Sequence, residues 1–168
     1  NDELINVELT DGNQQIILAT KNGNAVRFEE RNVRPTGRSS QGVRGISLKD
    51  DDEVVGMVVA SDEKTLLTVT ENGYGKRTSI AEYRLINRGG SGVINIQCSE
   101  RNGKVVSICP VAENDDIIFI SKNGIIIRVP ATDISVIGRN TQGVKIMKLE
   151  ENDKVVSAVK VAGENNNH

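Results

Sequence analysis

Apolar positions along this chain fall in short aliphatic runs, among them Ile16-Ile17-Leu18, Val54-Val55 and Ile125-Ile126-Ile127, divided by polar, glycine-containing stretches. Such β-branched runs favour strands. In the first unit of the chain the pattern predicts four strands, near Ile16–Thr20, Ala25–Glu29, Val43–Leu48 and Val54–Ala60. No segment carries a convincing helical period. Asn22-Gly23 between the first two strands supplies the positive φ angles of a tight hairpin, and Asp50-Asp51-Asp52 punctuates the second pair.

The same pattern returns twice. Asn22-Gly23 recurs as Asn72-Gly73 and Asn123-Gly124, at spacings of 50 and 51, and an arginine follows each glycine by four residues: Arg27, Arg77 and Arg128. Arg38-Ser39-Ser40-Gln41-Gly42-Val43 is matched by Arg88-Gly89-Gly90-Ser91-Gly92-Val93 and by Arg139-Asn140-Thr141-Gln142-Gly143-Val144 at those spacings. Glu53-Val54-Val55 is matched by Lys104-Val105-Val106 and Lys154-Val155-Val156. Four antiparallel strands per roughly 50 residues is the blade pattern of propellers, with a β-solenoid or an open row of sheets as alternatives. The expectation is therefore an all-β, propeller-like domain over residues 4–163, with three blades at about 16–61, 65–114 and 116–163. Residues 4–10 align with Val54–Val59 and are expected to be the last strand of a preceding unit, while 164–168 read as a tail or cloning remnant. A lone blade buries too little apolar surface to be stable, so the units must stack.

Composition narrows the chemistry. Aromatics make up 2% of the 168 residues and tryptophan is absent, so aliphatic side chains must fill the core. No stretch approaches the roughly 18 consecutive apolar residues of a membrane helix, and the first residues lack a signal pattern, so the chain reads as soluble and cytoplasmic with no membrane partner. Cys98 and Cys109 are the only cysteines. A two-residue hairpin at Asn102-Gly103 would set Cys98 opposite Ser107 and diagonal to Cys109, as two small buried hydrophobes. The single histidine stands at the extreme end, leaving no Cys/His set for a metal, and no nucleophile–base pair or P-loop suggests catalysis or a cofactor. The acids Asp50 to Glu53 read as a solvated turn.

The formal charge of −2 hides a segregation by repeat phase. The matched windows Lys21–Gly45, Glu71–Asn95 and Lys122–Lys145 hold 14 basic and 5 acidic residues, a balance of +9, and the remainder carries −11. Phase fixes a position on every blade, so the windows predict one basic rim suited to phosphates along a curved path, and acidic turns that repel DNA elsewhere. The candidate DNA-binding residues are Arg27, Arg34, Arg38, Arg44, Lys76, Arg77, Arg84, Arg88, Arg128, Arg139 and Lys145. Arginine suits such a role because its planar fork donates two hydrogen bonds to one phosphate. The alternative is that the repeated arginines bridge to carboxylates of a neighbouring blade, such as Glu29, Glu30, Glu82 or Asp133.

Gly73-Tyr74-Gly75-Lys76-Arg77, then Glu82-Tyr83-Arg84, Arg88-Gly89-Gly90-Ser91-Gly92-Val93 and Gly138-Arg139-Asn140-Thr141-Gln142-Gly143-Val144, closely resemble the C-terminal domain of DNA gyrase A. The resemblance runs from Leu4 to about Val161 and implies a β-pinwheel, whose neighbouring blades exchange strands. It implies non-sequence-specific wrapping of duplex DNA within an ATP-dependent type II topoisomerase that introduces negative supercoils. Strand cleavage would reside in the remainder of gyrase A and ATP hydrolysis in its partner gyrase B, not here. The chain departs from the family in carrying three repeats and in lacking the basic box Gln-Arg-Arg-Gly-Gly-Lys-Gly, of which Asn87-Arg88-Gly89-Gly90-Ser91-Gly92 is the nearest relative. The related domain of topoisomerase IV also lacks the strict box. A propeller serving as a protein-interaction platform is the reading from another class, and two copies of the three-unit chain could form a homodimer.

Overall fold

In the computed structural model, which describes residues 2–162, β1 (Gln15–Thr20) and β2 (Asn24–Glu29) form an antiparallel hairpin around Asn22-Gly23, with Gly23 at φ 93°. Downstream, β4 (Thr65–Thr70) and β5 (Tyr74–Ser79) repeat that hairpin, as do β8 (Asp115–Ser121) and β9 (Ile126–Pro130). A strand from the end of the same unit flanks each hairpin: β3 (Val54–Val59) on β1, β7 (Val105–Val111) on β4 and β11 (Val155–Ala162) on β8. The fourth strand is borrowed. β6 (Val93–Ile94) of the second unit pairs with β2 of the first, and β10 (Val144–Lys145) of the third pairs with β5 of the second. The sheets read β3-β1-β2-β6, β7-β4-β5-β10 and β11-β8-β9. The chain is thus all-β, with three propeller-like blades and the strand exchange of a pinwheel.

Exchange changes three expectations. Val43–Leu48 forms no strand, because its counterparts Val93 and Val144 pair with the hairpin of the preceding unit and no such hairpin precedes the first among the described residues. Residues 4–10 are exposed and form no strand either; β1 is already paired on both sides, and Asn6 reaches it only indirectly, through a 2.7 Å bond from its side-chain amide to the Met57 carbonyl. Cys98 does not face Ser107. The segments flanking Asn102-Gly103 go to different sheets, so Ser107 lies opposite Val69 and Cys109 opposite Leu67. Both thiols are free and half-buried, and burial pushes their pKa values up. The tail 164–168 lies outside the described residues.

Most of the core sits between blades, and a smaller cluster of Ile16, Val26, Phe28 and Ile46 lies within the first unit. Ile17, Ala19, Ala25 and Val58 of the first unit pack on Leu66, Ile80, Tyr83 and Ile96 of the second. Leu67, Val69 and Val111 of the second pack on Ile117, Phe119, Ile134 and Met147 of the third. Sandwiching buries both faces of β4, so that Leu66 to Thr70 are all buried, threonines included; β8, at the end of the array, alternates between buried and half-buried positions from Ile117 to Ser121.

Candidate nucleic-acid interface

The strand arginines turn inward. Arg27 on β2 is 8% exposed and its Nη1 donates to the carbonyls of Ile80 (3.0 Å) and Tyr83 (3.2 Å), at the 3-10 turn Ile80–Glu82 of the next unit. Its Nε donates to Gln15 and its Nη2 pairs with Asp62 at 2.9 Å. Arg77 is 4% exposed and donates from Nε to the Ile134 carbonyl at 2.9 Å, again in the following unit. Neither therefore presents its charge to a rim. The carboxylates proposed as bridging partners from the sequence are not the ones used; the acceptors are mostly main-chain oxygens, which leave no sequence signature. Arg128, in the same register, has no following unit among the described residues and stays exposed, paired with Asp116 of its own hairpin at 2.8 Å.

Lys76 is also withdrawn from the surface. Fully buried, its ammonium donates to the carbonyls of Gly138 (2.8 Å) and Arg139 (2.7 Å) and to the Thr141 hydroxyl (3.1 Å). Burial lowers its pKa to about 8, with Glu82 opposing and Arg139 reinforcing the shift. Lys76 thus anchors the glycine loop of the third unit from beneath.

Those glycine loops form a connected row. Arg88 donates to the carbonyls of Asn32 (3.0 Å) and Arg44 (2.7 Å), and Arg139 to those of Glu82 (3.0 Å) and Ile94 (2.8 Å). The amide of Gly89 donates to Gly45 at 2.7 Å, and that of Gln97 to Thr141 at 2.8 Å. Each loop is therefore laid against the one before it, which fixes the order of Arg44, Arg88, Arg139 and Lys145 along a single course. Arg34, Arg38, Arg44, Arg84 and Lys145 are exposed, and Arg88 and Arg139 half-exposed. The bonds of Arg88 and Arg139 use Nε and Nη1.

Sequence reasoning passed over Arg101. Its guanidinium lies 5.1 Å from the centre of the Tyr74 ring and donates to the Tyr74 hydroxyl at 3.2 Å, while Lys145 covers that ring at 5.8 Å. Cation–π contact holds both charges in place. A signal existed: Arg101 occupies the position of Asp50 and Glu151 in the other units, a reversal of charge inside an acidic turn. The acidic phase is also less separate than expected. Lys21 pairs with Glu53 at 3.3 Å and the Asn22 amide donates to Asp52, so the Asn-Gly hairpins and the acidic turns share one end of the blades. Among the described residues no group of three or more His, Cys, Asp or Glu could hold a metal, and no helix is long and apolar enough to cross a membrane.

Comparison with known proteins accords with the three-unit fold. The family described as DNA gyrase C-terminal domain, beta-propeller, matches residues 14–61, 64–111 and 115–162. The chain is 49% identical to the DNA gyrase A protein of Haloquadratum walsbyi over 159 residues, covering 94% of this chain and 19% of that protein. It is 47% identical over 169 residues to the DNA gyrase A protein of Staphylococcus epidermidis, covering 99% and 19%. The chain thus spans about a fifth of these relatives' length. A solved structure of the DNA gyrase A C-terminal domain superposes with a TM-score of 0.82 at 34% identity, covering 88% of this chain and 50% of that one. The C-terminal domain of DNA topoisomerase IV superposes at 0.88 and 28% identity, covering 94% and 49%.

Proposed function

The chain belongs to the DNA gyrase C-terminal domain family, and from that premise we propose that it binds duplex DNA without regard to sequence and bends it along the row of glycine loops. The observation that carries this reading is the row itself: Arg44, Arg88, Arg139 and Lys145 ordered by loop-to-loop hydrogen bonds, with Arg34, Arg38 and Arg84 exposed beside them. Phosphate binding needs cations at regular intervals and held in place, and hydrogen bonds from Nε and Nη1 orient the guanidinium groups of Arg88 and Arg139, leaving Nη2 of each to serve a phosphate. Buried Arg27, Arg77 and Lys76 support the row from within and do not contact DNA on this reading. Arg101 joins it.

In a whole cytoplasmic enzyme such a surface would curve DNA beside gyrase B and the remainder of gyrase A, where ATP hydrolysis and strand cleavage would reside, so that strand passage has a defined sense. This piece would contribute no bond-breaking chemistry of its own. Greater identity to gyrase than to topoisomerase IV favours the supercoiling enzyme over its relative.

The test is a titration of linear duplexes of unrelated sequence at several salt concentrations. Binding should be equal across sequences, with log affinity falling against log salt by about 0.9 for each phosphate contacted. Affinity that is flat in salt, or confined to one sequence, would refute the reading.

A further inference from the structure

The glycine loops of the second and third units each spring from a strand edge and return to it. Leu85 bridges to Arg27 on β2, the Ile86 amide donates to the Arg27 carbonyl at 2.9 Å, and further on β6 sets Ile94 opposite Asn24 of the same strand. Between these fixings the loop 88–92 is pressed onto β2, since a Cβ on Gly92 would lie 2.1 Å from the Ala25 carbonyl oxygen. The next unit repeats this on β5. There Val136 bridges to Arg77, the Ile137 amide donates to the Arg77 carbonyl at 2.8 Å, and Val144 pairs with Gly75.

The residues at these fixings are aliphatic and face solvent: Leu85, Ile94, Val136 and Val144 are between 39% and 49% exposed. Single exposed aliphatics are ordinary on protein surfaces, but here they stand in pairs around two arginine-bearing loops. Alternation accounts for the outward direction of the first pair. Ile86 packs on the small cluster of the first unit and Val93 on the core between the first and second units, so Leu85 and Ile94 turn away from both. Their neighbours are the cations of the row. Arg84 precedes Leu85, Arg139 donates from Nη1 to the Ile94 carbonyl at 2.8 Å, and Lys145 follows Val144. Ile94 itself stands at the repeat position that holds Arg44 and Lys145 in the other units.

From these placements, and resting on the duplex-binding reading above, we infer that Leu85, Ile94, Val136 and Val144 lie against the deoxyribose rings between the phosphates held by Arg88 and Arg139, so that the rim selects duplex DNA over duplex RNA. Along a nucleic-acid strand, charged phosphates alternate with sugar rings whose carbon edges are apolar. Every nucleotide of DNA offers the same ring, so contact there adds affinity with no preference for sequence. A ribose carries a further hydroxyl. An aliphatic side chain set against it leaves that hydroxyl without a partner, a cost that DNA does not incur. Side chains about half embedded project too little to wedge between base pairs, which leaves the sugar edge as the surface they meet.

Titrations of one sequence as duplex DNA and as duplex RNA test this, over salt concentrations that start low enough for phosphate attraction alone to hold either duplex. Leu85→Ala combined with Ile94→Ala should weaken DNA binding roughly threefold to tenfold at every salt concentration, with the slope of log affinity against log salt unchanged, and leave RNA binding as it was. Ile94→Lys, which copies the third unit, should steepen the DNA slope by about 0.9, the value of one more phosphate contact. Circular dichroism melts confirm that each variant folds. Full DNA affinity in the double variant, equal losses on DNA and RNA, or an unaltered slope in Ile94→Lys overturns the inference. A wild-type chain whose affinity is flat in salt overturns the duplex-binding reading itself, whereas any of the former outcomes with the wild-type slope intact leaves that reading standing.

Discussion

Arg27 and Arg128 occupy the same place in the repeat and live in different surroundings. Arg27 is closed off by the next unit and directs its donors to that unit's carbonyls, whereas Arg128 pairs across its own hairpin in solvent. The residue did not change; its neighbour did. In a stacked array a side chain's role is set by whether a further unit covers it, so the inner and terminal copies of one motif must be read separately.

The largest effect should come from removing the inner member of that pair. Arg27→Ala should lower unfolding free energy by about 3 kcal/mol, since the buried Tyr83 carbonyl loses its donor, the Ile80 carbonyl keeps only the Tyr83 amide, and the pair with Asp62 is lost. Arg128→Ala should cost under about 0.5 kcal/mol, the range of exposed pairs. Urea melts of both variants measure the contrast, and equal losses would break it.

Gly73 and Gly124 extend the comparison to the main chain. Both have positive φ, but only Gly73 abuts a carbonyl of the following unit. Gly73→Ala should destabilise by about 2 kcal/mol more than Gly124→Ala, whose cost is the backbone conformation alone. Thermal melting at equal protein concentration checks this.

Lys76 offers a softer probe of the second joint. Its pKa in the folded chain, about 8, lies below the ordinary 10.5, so in that interval the unfolded chain holds more protons. The contribution of Lys76 to stability therefore rises with pH between about 8 and 10.5 and levels off beyond. A series of melts for wild type and Lys76→Met should diverge in that window in the wild type's favour; parallel curves would show that burial does not perturb the ammonium.

The smallest effects belong to single exposed cations in the DNA row. Arg44→Ala or Arg84→Ala should reduce duplex affinity about threefold to tenfold and lower the salt slope by nearly one, leaving the melting temperature unchanged. Arg88→Ala is a poorer probe, since it also unties Asn32 and Arg44.

How much of this was visible in the sequence depends on the kind of contact. Repeat period, Asn-Gly hairpins and the blade count were legible because turn chemistry and aliphatic runs are local. Strand exchange was reached through family likeness; the apolar runs themselves do not say which sheet Val93 or Val144 will join. The burial of Arg27 and Arg77 was carried only as the alternative reading, because most of their acceptors are carbonyls common to every residue. Lys76 was different. Its register holds Val26 in the first unit and Ile127 in the third, an apolar position that marks the lysine as interior from the sequence alone. Arg101 was hidden by treating the acidic turns as uniform.

Because each blade borrows its last strand, the repeating stretch of sequence and the repeating sheet are out of step with one another. A gene segment of one period encodes a plug for the unit before it and a socket for the unit after it. Duplicating such a segment inserts a matched plug and socket together, so the array can lengthen by whole units while each new boundary inherits a fit already proven at the old ones.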